Sequence, residues 1–289
     1  MATLKQLRQR IKTAKNIQQI TRAMKLVAAA RFKKATDRVL EARPYSDKLK
    51  EFMMSLSGSG DLPTHPMMQN RGGDNYALIL ITAERGLAGS FNTNLIRKAG
   101  DFMKDQPGEK QLITVGKKGF GFFSKRGFKM THHVTVASSG ATLADAQEVA
   151  GVARQLFESG EIDKLYVCYS KFFSAIRQVP TIVQILPIEP PKTDESKPAG
   201  EGKSDYVFEP DAEGVLNQLL PRYFFTLIWQ ALLESTASEF GSRMTAMTSA
   251  TDNAGKMIND LSLKANRTRQ AGITTEILEV VGGAEALNG

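Results

Sequence analysis

Residues 237–268 read ASEFGSRMTAMTSATDNAGKMINDLSLKANRT. Ten positions in this stretch recur at alternating steps of three and four residues, and eight of the ten are apolar. They are Ala237, Phe240, Met244, Met247, Thr251, Ala254, Ile258, Leu261, Ala265 and Thr268. No proline interrupts the 64 residues from Arg222 to Glu285. A heptad seam of this kind predicts a long helix that packs against a partner helix.

The first 42 residues offer that partner. The same alternating spacing of three and four residues selects twelve positions there, and nine of them are apolar. These positions are Leu4, Leu7, Ile11, Ala14, Gln18, Thr21, Lys25, Ala28, Phe32, Ala35, Val39 and Ala42. Ile17, Ile20 and Met24 are expected to widen the seam where it becomes polar. The two ends of the chain are therefore predicted to pair as antiparallel helices. The C-terminal helix should outrun its partner by about 10–20 Å at 1.5 Å per residue.

The middle of the chain changes to short apolar runs that alternate with amphipathic stretches. Tyr76–Thr82, Gln111–Val115, Val134–Val136, Leu165–Ser170 and Thr181–Leu186 are predicted strands. The fold class is therefore α/β: a long antiparallel coiled coil of the terminal helices, with a central Rossmann-like domain and a mostly parallel sheet.

Three domains follow from this pattern. Residues 1–57 form an N-terminal coiled-coil helix, and residues 58–210 form the central α/β domain, including a mobile segment at 187–203. Residues 211–289 form a short helix and then the long C-terminal coiled-coil helix. The short helix is expected to end at Leu220, with Pro221 in the first turn of the long one.

The charge of the chain is concentrated at one end. The net charge is +8, but residues 1–50 hold 14 Lys and Arg against 3 Asp and Glu, and the remainder is slightly acidic. Three hypotheses explain a basic first helix: an acidic protein partner, a nucleic acid, or a transit peptide. Transit peptides are Ser-rich, and no Ser precedes Ser46. The acidic-partner hypothesis is favoured, with nucleic-acid binding as the alternative.

Motifs for catalysis and cofactors are sparse. The glycines of Gly116–Gly121 do not follow the dinucleotide-binding pattern, and Arg85–Ser90 lacks the Gly-Lys-Ser/Thr ending of a P-loop. His132 and His133 are adjacent, so their side chains should diverge on a strand. The single cysteine, Cys168, lies in an apolar run and is expected to be a buried core thiol. No cofactor and no metal are predicted.

Five stretches together resemble one family. They are Ile11–Ala30, Arg85–Asn92, Phe208–Asp211, Arg243–Ala254 and Asn266–Ile277. Each resembles the corresponding signature of the gamma subunit of F-type, proton-translocating ATP synthases. The resemblance implies a non-catalytic rotor shaft that couples proton flow through a membrane ring to conformational change in catalytic beta subunits. The implied partners are three alpha and three beta subunits, an epsilon subunit and the membrane c-ring.

The resemblance also implies roles for individual positions. Contacts that couple to the beta subunits are implied for Met24, Lys25, Arg243, Arg269, Gln270, Thr274 and Glu276. A loop that faces the hexamer is implied for Arg85, Gly86, Gly89 and Asn92. A foot that meets the ring and the epsilon subunit is implied for Tyr206, Val207 and Phe208. A bearing tip is implied for Ile273, Ile277, Val280, Val281 and Leu287.

The implied location is the inner, cytoplasmic face of an energy-transducing membrane, as in a bacterial inner membrane. The chain would be a peripheral protein there. No apolar run approaches the roughly 18 residues of a membrane span, and no signal peptide is expected.

Overall fold

The computed structural model describes residues 3–57, 65–189 and 212–288, without the side chains of 55–57, 212–213 and 285–288. In chain order its elements are α1 (Leu4–Ser57), β1 (Tyr76–Ile81), α2 (Phe91–Asp105), β2 (Lys110–Val115), α3 (Lys117–Phe123), β3 (Met130–Val134), α4 (Leu143–Glu158), β4 (Lys164–Phe172), β5 (Gln178–Leu186) and α5 (Ala212–Asn288). Short 3-10 turns occupy Pro66–Met68 and Ser124–Arg126. The two long terminal helices and the alternating middle are as predicted.

The strands form one mixed sheet in the order β3-β2-β1-β4-β5. β1 pairs in parallel with β2 and β4, β3 pairs in parallel with β2, and β5 is antiparallel to β4. The prediction of a mostly parallel sheet is confirmed. β3 was predicted too late in the chain. It is an edge strand whose Thr131, His132 and His133 are half-buried, so its polar sequence hides the strand pattern.

Both faces of the sheet are covered by helices. Every residue of β1 is buried, which explains its continuous apolar sequence. Ala77, Ile79 and Ile81 pack into a core with α4 and part of α5. Tyr76, Leu78 and Leu80 pack on the other face against α2. This two-sided burial fixes the carboxyl ends of β1 and β2, where the loops considered below begin.

The chain divides into two compact units, residues 29–243 and residues 1–28 with 244–289. Within the larger unit, α1 and α5 meet in a small core. That core consists of Ala35, Val39, Phe172, Leu233, Ala237 and Phe240, with Phe32 and Ala42 against it. The heptad positions of both helices are therefore in contact, as predicted.

Within the smaller unit the two helices pair antiparallel. The Thr251 hydroxyl donates to the Thr21 hydroxyl at 2.9 Å. A Cβ on Gly255 would lie 3.0 Å from the side-chain nitrogen, Nε2, of Gln18. Thr21 lies beside Thr251, and Gln18, three residues earlier in α1, lies beside Gly255, four residues later in α5. The two helices therefore run in opposite directions. The predicted seam includes its polar members, since Thr21 is buried and Gln18 and Thr251 are half-buried.

The unpaired end of α5 is longer than predicted. The register at Thr21 and Thr251 puts Leu4 opposite Thr268. Among the residues of α5 whose side chains the structure describes, Thr268 is the last that is not exposed. Every residue from 269 to 284 is exposed. Counting from 269 to the end of the helix at Asn288, this end measures about 30 Å at 1.5 Å per residue. The predicted 10–20 Å was too short because it compared helix lengths and not the pairing register.

Two further predictions are wrong. Ile17 and Ile20 do not widen the seam: their side chains are 48% and 59% exposed, while Met24 is half-buried. No separate helix ends at Leu220, because α5 continues through Pro221. Proline removes one helical N–H there, but buried Leu220 and Phe224 on either side hold the helix against the sheet core.

Candidate functional site

The first group of predicted contacts lies on α1 in the smaller unit. Met24 and Lys25 are both half-buried. Lys25 occupies a heptad position, so its aliphatic stem packs along the seam while the ammonium remains available to an acidic partner. The geometry therefore places a cation within the seam, one turn from buried Thr21.

A second group lies on the unpaired end of α5. Arg269, Gln270, Thr274 and Glu276 are all exposed. The Thr274 hydroxyl donates to the carbonyl of Gln270 at 3.0 Å, a bond within one helical turn. Among the described residues, neither Arg269 nor Glu276 forms an ion pair. These polar groups are thus free to bind another molecule.

The predicted bearing tip is an exposed apolar surface. Ile273, Ile277, Val280 and Val281 are between 48% and 72% exposed, and Leu278 beside them is 66% exposed. The side chain of Leu287 lies outside the described residues. A continuous apolar helix surface of this size is typical of a segment that another protein encloses.

The loop between β1 and α2 holds three of the four residues predicted to face a hexamer, and the fourth, Asn92, lies in the first turn of α2. The Asn92 side chain accepts the backbone N–H of Ala83 at 2.9 Å and ties the end of β1 to the start of α2. Gly89 has φ +55° and Leu87 has φ +65° with 64% of its side chain exposed. Arg85 is exposed and Gly86 half-buried. The loop is therefore anchored at Asn92 and presents Arg85 and Leu87 outward.

Arg243 contacts this loop, a proximity that the sequence did not predict. One of its terminal guanidinium nitrogens donates to the Glu239 carboxylate at 2.6 Å and approaches the Arg85 carbonyl at 3.5 Å. The Arg243 and Glu239 side chains are only 12% and 20% exposed. Burial raises the pKa of Glu239, and the opposing effect of Arg243 does not cancel that increase. Two separately predicted groups thus form one site in the larger unit.

A cavity of about 50 Å³ lies next to this ion pair. It is at the carboxyl ends of β1 and β2, and Arg31, Glu84, Glu239, Arg243 and Ser235 line part of it. Within the described part of the chain, neither the buried Ser235 hydroxyl nor the buried Arg243 Nε has a hydrogen-bond partner. Arg31, Glu84 and Glu239 were not predicted. The spacing of Glu239 four residues before Arg243 on a predicted helix was a signal that could have found that pair.

The glycines and histidines rejected as cofactor motifs have packing roles. A Cβ on Gly116 would lie 2.1 Å from the Thr82 carbonyl oxygen, and the Gly119 N–H donates to the Thr82 hydroxyl at 2.9 Å. His132 bonds to Glu148 at 2.7 Å, whereas His133 stacks on Phe120. The two imidazoles therefore diverge as predicted.

The remaining predictions concern the foot, the 187–203 segment, metal binding and membrane spans. The foot, Tyr206, Val207 and Phe208, and most of the 187–203 segment lie outside the described residues. Within the described ranges there is no group of three or more His, Cys, Asp or Glu side chains with metal-site geometry. Within the same ranges, no helix combines the length and apolar character needed to span a membrane.

The sequence matches a known family over nearly its whole length. The family model described as ATP synthase matches residues 3–287. An ATP synthase gamma chain from Brevibacillus brevis is 45% identical over 286 residues, covering 98% of each chain. One from Pelotomaculum thermopropionicum is also 45% identical, over 288 residues, covering 99% of this chain and all of the relative.

The fold also has solved counterparts. A chain in a cryo-EM structure of the Euglena gracilis mitochondrial ATP synthase, described as OSCP/F1/c-ring, aligns with a TM-score of 0.73 at 19% identity. That alignment covers 98% of this chain and 94% of the other. A chain from the central stalk and c-ring structure of the Tetrahymena thermophila enzyme gives a TM-score of 0.58 at 23% identity.

Proposed function

Because this chain belongs to the family of ATP synthase gamma chains, we propose that it is the central rotor shaft of an F-type ATP synthase. In this proposal it couples proton flow through a membrane c-ring to ATP synthesis or hydrolysis in beta subunits and catalyses nothing itself. Its partners are three alpha subunits, three beta subunits, an epsilon subunit and the c-ring. It is peripheral on the inner face of the membrane, and its bacterial relatives support a bacterial inner membrane.

One observation carries this proposal furthest. The end of α5 outruns α1 by about 30 Å, and its apolar side chains are exposed. Ile273, Ile277 and Val280 make that surface apolar, which suits a sleeve that encloses it without fixed ion pairs. A single helix in such a sleeve turns without breaking strong directional bonds.

The coupling itself follows from unequal contacts. A shaft with one asymmetric set of side chains meets three chemically identical sites in three different ways. Each site shifts toward the conformation that the local contact favours, by no more than the difference in contact free energy. Exposed Arg269 and Glu276, half-buried Lys25 and the Arg243–Arg85 site are the groups that we assign to these contacts.

The basic first helix fits the same proposal. Its excess of Lys and Arg complements an acidic protein surface and speeds association with it. Membership of the gamma chain family leaves the nucleic-acid alternative without a supporting observation. Strong retention on DNA at physiological salt would revive that alternative.

Reconstitution tests the proposal. The chain is mixed with alpha and beta subunits from the same organism, and complexes are isolated and assayed for ATP hydrolysis. We expect one complex with three alpha, three beta and one copy of this chain. The control is Ala254→Asp, which puts a carboxylate in the buried seam and should weaken assembly. The proposal fails if the parent chain does not assemble, or if omitting it leaves the hydrolysis rate unchanged.

A further inference from the structure

β4 is longer than the strand beside it. β1 pairs with β4 from Tyr76 opposite Lys164 to Leu80 opposite Cys168. β4 then continues to Phe172. Its last residues therefore have a strand on the β5 side only, and their backbone groups on the β1 side need other partners.

The pairing with β5 shows which groups those are. The Phe173 N–H donates to the Arg177 carbonyl, so residue 173 points toward β5. In an antiparallel pair alternate residues point the same way, so Phe172 and Ser170 point toward the β1 side. Pro180, which has no N–H, lies opposite Ser170 and fits this assignment. The backbone groups directed at the position where a strand is missing thus include the Phe172 N–H and the Ser170 carbonyl.

Helix α5 fills that position with side chains. The Phe172 N–H donates to the Glu234 carboxylate at 3.1 Å, and the Ser238 hydroxyl donates to the Ser170 carbonyl at 3.0 Å. Glu234 is 4% exposed and Ser238 is fully buried. Four residues of helix rise about 6 Å and two residues of strand about 6.7 Å, so one helical turn matches the spacing of the two backbone groups.

The same ridge of α5 continues in both directions at four-residue steps. Gln230 donates to the Glu234 carboxylate at 3.1 Å and accepts the Ser46 hydroxyl of α1 at 2.6 Å. One turn beyond Ser238, the Ser242 hydroxyl donates to the side chain of Gln178, the first residue of β5, at 2.9 Å. We call Gln230, Glu234, Ser238 and Ser242 the polar ridge.

We propose that the polar ridge is the joint that transmits torque between the α/β sheet and α5, an inference that rests on the proposed rotor function. Apolar packing is non-directional, so it does not by itself specify which backbone group of the strand meets which side chain of the helix. The ridge instead fixes the register, because a shift of one residue leaves a buried N–H and a buried carbonyl without partners. Glu234 and Ser238 are positioning residues that hold α5 to the sheet under load.

The test compares three variants. Glu234→Leu removes the acceptor for Phe172, and Ser238→Ala removes the donor to Ser170. Glu234→Gln keeps an acceptor oxygen for Phe172, and its NH2 group faces the Gln230 amide, which can rotate to accept from it. This variant should retain the behaviour of the parent. Val149→Ala, in a fully buried position of α4, lowers stability without touching the ridge and is the matched control.

Amide exchange on the isolated full chain tests the joint itself. We expect the Phe172 amide to exchange about 10-fold faster or more in Glu234→Leu, but at the parental rate in Glu234→Gln. An unchanged rate in Glu234→Leu would show that the carboxylate does not hold the strand. If Glu234→Leu does not fold, Ser238→Ala and Glu234→Gln still decide the matter through the coupling measurement.

Proton pumping in the membrane-bound complex tests the mechanical role. We expect Glu234→Leu and Ser238→Ala to assemble and hydrolyse ATP, with protons pumped per ATP reduced about twofold or more. Val149→Ala should keep the parental ratio even where its yield is lower. Failure of the parent chain to assemble would overturn the rotor function, whereas parental ratios in both ridge variants would overturn the joint alone.

Discussion

Removing Arg243 should reveal how strongly the buried Glu239 carboxylate depends on it. The two side chains meet at 2.6 Å and are 12% and 20% exposed. Breaking a fully buried ion pair by removing one partner costs about 3–5 kcal/mol. Residual exposure at this site lowers the expected cost of Arg243→Ala to about 2–3 kcal/mol above neutral pH. For a chain of this size that corresponds to a fall in Tm of about 3–5 °C.

The cost depends on pH in a defined direction. Burial raises the pKa of Glu239 from 4.5, so the folded chain retains a proton that the unfolded chain releases between the two pKa values. The contribution of Glu239 to stability therefore falls as pH rises through that window. Arg243 and Arg31 oppose the shift and Glu84 adds to it. Without Arg243 the pKa rises further, so Arg243→Ala should lose more stability at pH 8 than at pH 5.

Thermal unfolding of four proteins measures this effect: the parent chain, Arg243→Ala, Glu239→Gln and the double variant, each at pH 5 and pH 8. Glu239→Gln removes the charge that Arg243 neutralises, so the double variant should regain most of the loss at pH 8. The reasoning is refuted if the double variant is as unstable as Arg243→Ala, or if the loss is equal at both pH values.

Three further predictions concern other parts of the chain. Truncation after Thr268 should change the Tm of the isolated chain by less than about 2 °C, because residues 269–284 are exposed; a larger loss in calorimetry would mean that this end packs on the chain. Cys168 should react with a thiol reagent only on unfolding, since burial raises its pKa to about 12; stoichiometric labelling of the folded chain at pH 8 would contradict this. Gly140→Ala should destabilise by about 2 kcal/mol or more, because φ is +106° and a Cβ would lie 2.6 Å from a methyl carbon of Thr236. Gly121→Ala, with open space at its Cβ, is the control, and equal Tm values for the two would refute the strain argument.

The coiled-coil seam was predictable from sequence because heptad spacing decides which positions face a partner, whatever the side chain. Gln18 and Thr21 lie in the seam although their side chains are polar. Ile17 and Ile20 lie outside it and are exposed although their side chains are apolar. Hydrophobicity alone would have exchanged these two pairs. The length of the unpaired end required the register, which depends on contacts such as Thr21 with Thr251.

The ion pair and the polar ridge were harder to predict. Glu239 and Glu234 look like ordinary polar positions on a long helix. The spacing of four residues between Glu239 and Arg243 was visible, but the loop that Arg243 contacts and the strand end that Glu234 contacts lie in distant parts of the sequence. Arg85 is 158 residues from Arg243, and Phe172 is 62 residues from Glu234. Local spacing predicts which face of a helix is buried but not which strand end lacks a neighbour. That information exists only once the sheet order is known.

Direct observation of rotation tests the central claim. A cysteine in place of exposed Asp105, at the end of α2 that lies away from the loop assigned to the hexamer, carries a bead on the α/β domain. Buried Cys168 stays unlabelled, and the alpha–beta complex is fixed to a surface. Addition of ATP should turn the bead in one direction in three steps per revolution. A complex that hydrolyses ATP at the parental rate while the bead only fluctuates would contradict the account of this chain as a rotor shaft.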